Sequence, residues 1–198
     1  MTAIVLATED ALSEEIGERL VTDAGLDVVQ RLRGGGRGYL RKRMSSFAEM
    51  ARRLPVLVIT DLDQVVCPAT LISGWLPVPR RQRNLLLRVA VREVESWLLA
   101  DAQAMRQLLG GGANVLPRAP DSLTDPKATL LRLARRASRA VREDLLPSNG
   151  AIASRGLGYN TRLCELVRSS WDPSRAACQS PSLQRARERL KELSQRVA

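Results

Sequence analysis

Val56-Leu57-Val58-Ile59-Thr60-Asp61-Leu62-Asp63 decides the fold. Residues 56–60 are apolar or β-branched, and Pro55 introduces them. A short continuous run of this kind reads as a strand buried on both faces of a parallel sheet. Aspartate is disfavoured in strands, so two carboxylates at the end of one require a cause. Ligands of open α/β sheets bind at the carboxyl ends of strands. Residues i and i+2 of an extended segment point the same way. Asp61 and Asp63 are therefore expected to face one site and to hold a hard divalent cation, Mg²⁺ or Mn²⁺.

Outward from this run, strands alternate with helices. Ala3–Ala7 reads as a first strand, and Leu12, Ile16 and Leu20 recur at helical spacing after it, with Asp10 or Ser13 as cap. Leu26–Arg31 is a second strand. It leads into a basic glycine loop, Arg33-Gly34-Gly35-Gly36-Arg37-Gly38, and a basic helix from Tyr39 to Arg53. Pro68 stands where a first helical residue would, opening a helix to Trp75. Pro77–Arg83 reads as a turn-rich basic loop and Leu85–Val91 as a fourth strand. Glu95–Ala100 starts a helix, and Asp101 caps another that ends at Gly110. The alternation predicts βαβ units and a mostly parallel sheet flanked by helices. This α/β core spans residues 1–110. Residues 111–198 read as a helical C-terminal extension packed on the core. The extension comprises a loop over Gly110–Asp125, one basic helix from Pro126 to about Glu143, a glycine-containing segment over Gly150–Asn160, and helices over Thr161–Ser169 and from Pro181 to about Arg196.

The 198 residues are 44% hydrophobic, enough for an ordinary core, and no apolar run approaches the roughly 20 residues that span a bilayer. Glu9 and Asp10 come too early for a signal peptide, so the cytoplasm is the expected location. Cys67, Cys164 and Cys178 are odd in number and unpaired in spacing, which suggests neither a disulfide framework nor a zinc site. Histidine is absent, and with it Ser–His triads, zinc–histidine sites and histidine-based nuclease chemistry. A net charge of +10 favours a polyanionic partner such as DNA or RNA, although a preference for Arg codons gives the same balance. Aromatics at 3% argue against a stacking platform for single strands.

Glu9 follows the first strand as Asp61 and Asp63 follow the third. If those strands are neighbours, three carboxylates meet at one sheet edge. Such a cluster repels itself unless a cation neutralises it, and Mg²⁺ there serves phosphoryl chemistry. The plain alternative makes Asp61 a helix cap and Glu9 a solvated turn residue.

These residues carry a resemblance. A strand followed by Glu9, and a later strand ending Asp61-Leu62-Asp63, resembles the TOPRIM domain of topoisomerases, primases and overcoming-lysogenization-defect nucleases. More closely, the chain resembles a family of uncharacterised bacterial TOPRIM-like proteins, often encoded beside an AAA-type ATPase and linked to phage defence. The matching stretches are Glu9–Glu14, Gly36–Leu40, Thr60–Asp63 with Cys67-Pro68, Arg88–Asp101, Asp125-Pro126-Lys127, Gly158-Tyr159-Asn160 and Ser180–Leu183. The resemblance implies a TOPRIM-like, Rossmann-like fold in which Glu9 is an acid–base residue or metal ligand and Asp61 and Asp63 bind Mg²⁺. Asp10 stands where many TOPRIM domains have glycine.

Further candidates surround this set. Glu93 directly follows the fourth strand and is expected to approach the acidic site, or else to join Arg92 and Glu95 in structural ion pairs. If a strand continues there, Glu93 and Glu95 share a face; if a helix begins, they do not. Arg37, Arg41 and Lys42 are placed to hold a phosphate backbone beside the glycines. On a single helix, Arg132, Arg135, Arg136 and Arg139 form one stripe, so Arg132 and Arg136 are phosphate-binding candidates, or a plain solvated surface. The expected function is a Mg²⁺-dependent nuclease. Two rivals are a non-catalytic interaction or sensor subunit of an ATPase partner, and a nucleotide-processing enzyme on the same metal site.

Overall fold

The protein is described by a computed structural model covering residues 2–76, 83–150 and 152–197. It is an α/β protein with a parallel, Rossmann-like sheet flanked by helices. The sheet holds β1 (Thr2–Thr8), β2 (Leu26–Arg33), β3 (Val56–Asp61) and β4 (Leu85–Ala90) in the order β2-β1-β3-β4, all parallel. Alternating side chains serve two cores, as the two-fold period of a strand dictates. Ile4, Leu6, Leu57, Ile59 and Leu86 pack on one face. Val5, Ala7, Val56, Val58, Leu85, Leu87 and Val89 pack on the other.

The first face is covered by α1 (Ala11–Asp23) and by the C-terminal helices. These include α4 (Glu95–Leu99), α5 (Ala102–Leu109), α6 (Pro126–Ala134), α7 (Arg139–Leu145), α8 (Tyr159–Ser169), α9 (Pro173–Ala177) and α10 (Pro181–Val197). The second face is covered by α2 (Gly36–Met50) and α3 (Pro68–Trp75). Trp97 and Trp171 lie at the centre of the first core. Their indole N–H groups donate to Ser182 Oγ at 2.7 Å and to the Trp97 carbonyl at 3.0 Å, so two large rings are buried without orphaning a donor. Residues 97–99 and 183–193 thereby share one core with β1 and β3. No helix among the described residues is long and apolar enough to cross a membrane.

Two expectations need correction. The glycine loop is shorter than its composition suggests. β2 runs on to Arg33 and α2 begins at Gly36, so Gly36-Arg37-Gly38 forms the first turn of the helix. Gly35 and Gly36 make the entry at φ 58 and 68, a conformation that costs glycine little. The basic helix expected over 126–143 is two helices, α6 and α7, broken at residues 135–138. Ser138 takes an extended ψ and its Oγ caps α7 by accepting from Val141 N, while Arg142 Nη1 donates to the Ala137 carbonyl. Arg132 and Arg136 therefore do not share one helical stripe with Arg139. The turn-rich basic loop expected at Pro77–Arg83 lies outside the described residues except for Arg83.

One glycine is fixed by a close approach. A Cβ on Gly156 would lie 2.3 Å from the Asp144 carbonyl oxygen and 2.7 Å from that of Leu146. Both neighbours are backbone, and Gly156 N donates to the Leu145 carbonyl at 2.9 Å, so the segment cannot step aside freely. Gly156→Ala is expected to cost about 2 kcal/mol, the scale of overpacking, and to lower the melting temperature by about 4–8 °C. Calorimetry checks this, and an unchanged midpoint would refute the tight approach.

Candidate functional site

The sheet order places the site. From β1 the chain goes to β2 on one side, then crosses over to β3 on the other, so β1 and β3 are neighbours in space. The winding reverses between them, which is where an open parallel sheet forms its crevice at the carboxyl ends of the strands. β1 ends at Thr8, just before Glu9, and β3 ends at Asp61.

Glu9 and Asp61 meet there. Glu9 Oε1 accepts hydrogen bonds from Thr60 Oγ1 and, at 3.1 Å, from Asp61 N. Asp61 Oδ1 accepts from Val94 N at 2.9 Å, in the turn that follows β4. Each carboxylate thus has one oxygen fixed, Glu9 by the end of β3 and Asp61 by the turn after β4. Among the described residues, Glu9 Oε2 and Asp61 Oδ2 have no hydrogen-bond partner. Burial pushes both carboxyls above their ordinary values. For Asp61, shifted well upward, the charges of Glu95, Glu9, Asp63 and Asp10 add to burial. For Glu9, the bonds from Thr60 and Asp61 oppose the burial, and Asp63 and Asp10 add to it.

Asp63 joins the cluster by a different route from the expected one. The strand stops at Asp61, and Asp63 takes φ 49, in the left-handed region, so strict two-residue alternation does not carry it to the same face. Two anchors hold it instead. Asp63 N donates to the Arg92 carbonyl at 2.9 Å, and Arg92 Nη1 returns a bond to the Asp63 carbonyl at 2.8 Å. Its side-chain Oδ2 accepts from Arg37 Nη1 at 3.2 Å. A non-glycine residue in this conformation is uncommon and costs about 1 kcal/mol or more, a strain found most often at functional sites. Asp10 is not a further ligand: its Oδ1 caps α1 by accepting from Ser13 N at 2.8 Å.

Beyond β4 the strand does not continue, so Glu93 and Glu95 do not share a strand face. Glu93 is tied to the start of α6: its Oε2 accepts from Lys127 N at 2.9 Å and its Oε1 lies 3.4 Å from Lys127 Nζ. Glu95 is the acid that most strongly raises Asp61 after burial itself. It is 2% exposed, its Oε1 accepts from Tyr159 OH at 2.7 Å and lies 3.5 Å from Lys127 Nζ, and its Oε2 is buried without a partner among the described residues. Burial alone would lower the Lys127 ammonium, but the combined attraction of Glu95, Glu93 and Asp61 outweighs it and the value rises. Glu95, Lys127, Tyr159 and Arg92 thus belong to the site. The sequence offered them only as ion pairs or as stretches of the resemblance, because their partners are distant in the chain.

The basic candidates divide. Arg37 reaches the cluster through Asp63 and stacks 5.7 Å from the Trp75 ring centre. Arg41, one helical turn on along α2, and Lys42 are exposed and have no ion pair among the described residues. Arg132 and Arg136 are exposed, on α6 and in the bend after it.

Among the described residues, no three His, Cys, Asp or Glu side chains stand close enough together to hold a metal by themselves. The donor set still fits Mg²⁺, which is usually bound by one or two carboxylates and completed by water and substrate phosphate. The free oxygens of Glu9 and Asp61, each on a carboxylate whose other oxygen is held by hydrogen bonding, are the arrangement such ligation uses. Compared with family models, with curated proteins and with solved structures, the chain matches none.

Proposed function

We propose that the chain is a Mg²⁺-dependent phosphodiesterase acting on nucleic acid, that is, a nuclease. The observation that carries this reading is the meeting of Glu9 and Asp61 at the β1–β3 crevice, each with one oxygen tied and one free, beside Asp63. Asp61 would hold the ion through its free oxygen, with Glu9 beside it and water and substrate phosphate completing the shell, while Asp63, engaged by Arg37, would stand outside it. When bound, Mg²⁺ polarises a phosphate oxygen and makes water a stronger nucleophile. The protein's own groups supply the rest. Glu9, fixed at the strand end by Thr60 Oγ1 and Asp61 N, is the carboxylate placed to take a proton from the attacking water. Arg37, with Arg41 and Lys42 beside it on α2, orients the phosphate backbone; the +10 net charge draws the polyanion in.

The test is incubation of purified protein with DNA and with RNA, with Mg²⁺, Mn²⁺ or chelator. Metal-dependent cleavage is expected, and Glu9→Gln is expected to slow it by about 10²-fold or more, the range for losing an acid–base group. Absence of cleavage with either metal on either nucleic acid overturns the proposal.

One observation favours a second reading. Lys127 already pairs with both Glu93 and Glu95, and no three acids form a closed metal site among the described residues. On this reading the acidic cluster is structural and the chain is a non-catalytic interaction or sensor subunit of an ATPase. Capture of an ATPase without any calorimetric response to Mg²⁺ or Mn²⁺ supports it. Hydrolysis of nucleoside triphosphates in the same assay would instead assign the site to nucleotide processing.

A further inference from the structure

A second cleft lies at the other end of β4, away from the acidic crevice. It is about 750 Å³ and opens between α3, β4 and α10, along the sheet edge that has no partner strand among the described residues. Ile72, Leu76 and Leu85 line it from the α3 side of the sheet, Leu86 lies beside Arg88 on the α10 side with Arg189, Glu192, Gln195 and Arg196, and Arg83 completes the lining.

Arg88 is the unusual member. It sits within β4, mostly buried, and its Nε is buried without a hydrogen-bond partner among the described residues. It forms no ion pair among them either. Burial, with the charges of Arg189 and Arg185, pushes its guanidinium down to about 10, and Glu192 opposes this weakly. Glu192 is already engaged by Arg189 at 2.5 Å and is more than half exposed, so it does not neutralise the group. Arg196 spans the mouth, donating to the Arg83 carbonyl at 2.9 Å and to the Glu192 carbonyl at 3.3 Å. A largely buried guanidinium whose Nε lacks a partner among the described residues is costly, and a sheet edge offers many cheaper residues. Setting Arg88 close enough to Arg189 and Arg185 to feel their charge makes sense where a multiply charged anion completes them, and planar guanidinium forks fit phosphate oxygens two at a time. The apolar lining on the α3 side suits the flat face of a base.

We propose that this cleft binds a nucleoside phosphate, its phosphates on Arg88 and Arg189 and its base against Leu76 and Leu85. The source is a free nucleotide or the 5′-phosphorylated end of a strand; the shared chemistry is a terminal phosphate on a nucleoside. The proposal is independent of the reading of the acidic site.

The experiment is isothermal titration calorimetry on the full chain in EDTA, which keeps divalent ions from bringing phosphate to the acidic crevice. The probes are ADP, pyrophosphate, adenosine, a dinucleotide with and without a 5′-phosphate, and a hexaglutamate peptide. ADP and pyrophosphate are expected to bind, more weakly as salt rises, and adenosine is not. Arg88→Met keeps the apolar stem and removes a buried charge, so it should fold, and it is expected to weaken ADP binding by about tenfold or more. Arg189→Gln, at an exposed position, should weaken it likewise, whereas Arg106→Gln on α5 should not. Tighter binding of ADP than of the phosphorylated dinucleotide assigns the free nucleotide, and the reverse assigns the strand end. No heat with pyrophosphate or ADP, equal affinity in Arg88→Met and Arg189→Gln, an equal loss in Arg106→Gln, or binding of hexaglutamate alone overturns the proposal.

Discussion

Replacing Asp61 with asparagine is expected to make the protein more stable and to remove its divalent-ion response at the same time. Asp61 is a carboxyl held well above its ordinary pKa by burial first, then by Glu95, Glu9, Asp63 and Asp10. A group whose folded pKa exceeds its unfolded one binds its proton more tightly when folded. Its stabilisation is complete below the unfolded value, about 3.9, and is lost as pH rises through the folded value. As pH rises above the unfolded value, the wild-type fold therefore bears a growing cost, in crowded charge or in the proton it must hold. Asparagine cannot ionise, yet its Oδ1 can still accept from Val94 N, so the bond that fixes the side chain survives. The gain should be about 0.5–2 kcal/mol, seen as a rise of a few degrees in melting temperature at pH 7.5 that shrinks toward pH 4. Added Mg²⁺ should raise the midpoint of the wild type and leave that of Asp61→Asn unchanged, because ligand that binds only the folded state stabilises by mass action. Cleavage should fall by about 10³-fold, since several kcal/mol of charge stabilisation go with the ion. A variant less stable than wild type at neutral pH, or a pH profile parallel to it, would show that the cluster is not strained by its own charge.

How much of this site the sequence makes legible depends on how local each cause is. The strand Val56–Asp61 and its terminal carboxylate are readable because an apolar run followed by an acid is a local pattern. The meeting of Glu9 with Asp61 follows from one further step, the adjacency of β1 and β3. Asp63 shows where a local argument misleads. It reaches the cluster through a left-handed turn pinned by Arg92, not by strand alternation, and nothing adjacent in the chain announces φ 49. The break between α6 and α7 is equally quiet. Ala137-Ser138 is a weak stop signal beside four nearby arginines at helical spacing, and the cap forms only once Ser138 has left the helix. Gly156 and Gly158 look like loop glycines in sequence. Their necessity comes from Asp144, whose backbone and carboxylate lie where a Cβ would go. Glu95 is hardest of all to read. In sequence it is one of two acids before an apolar helix; in the fold, Tyr159 and Lys127 arrive from residues far along the chain to hold it.

That last arrangement leads to the largest stability effect expected in the molecule. Lys127→Met should destabilise the fold by about 3 kcal/mol. Lys127 is the cation beside both Glu93 and Glu95, and Glu95 is almost wholly buried with one oxygen lacking a partner among the described residues. Removing one side of a buried pair strands the other charge, at about 3–5 kcal/mol; the partial exposure of Lys127 and Glu93 places this case at the low end. Methionine keeps most of the apolar stem, so the loss reports charge more than packing. The fold should respond by protonating Glu95, whose pKa burial already raises, and Lys127→Met should push it higher still. The variant's deficit should therefore shrink as pH falls toward 4–5, where the neutral acid is cheap. The double variant Lys127→Met/Glu95→Gln should recover much of the loss, because a neutral amide can still accept from Tyr159 OH while needing no counter-charge. Thermal and urea unfolding at pH 5 and pH 7.5 measure all three proteins. A single-variant loss under 1 kcal/mol at neutral pH, or no recovery in the double variant, would mean that Lys127 does not neutralise Glu95. The acidic cluster would then have to be balanced by something else, and the case for a cation in the crevice would grow accordingly.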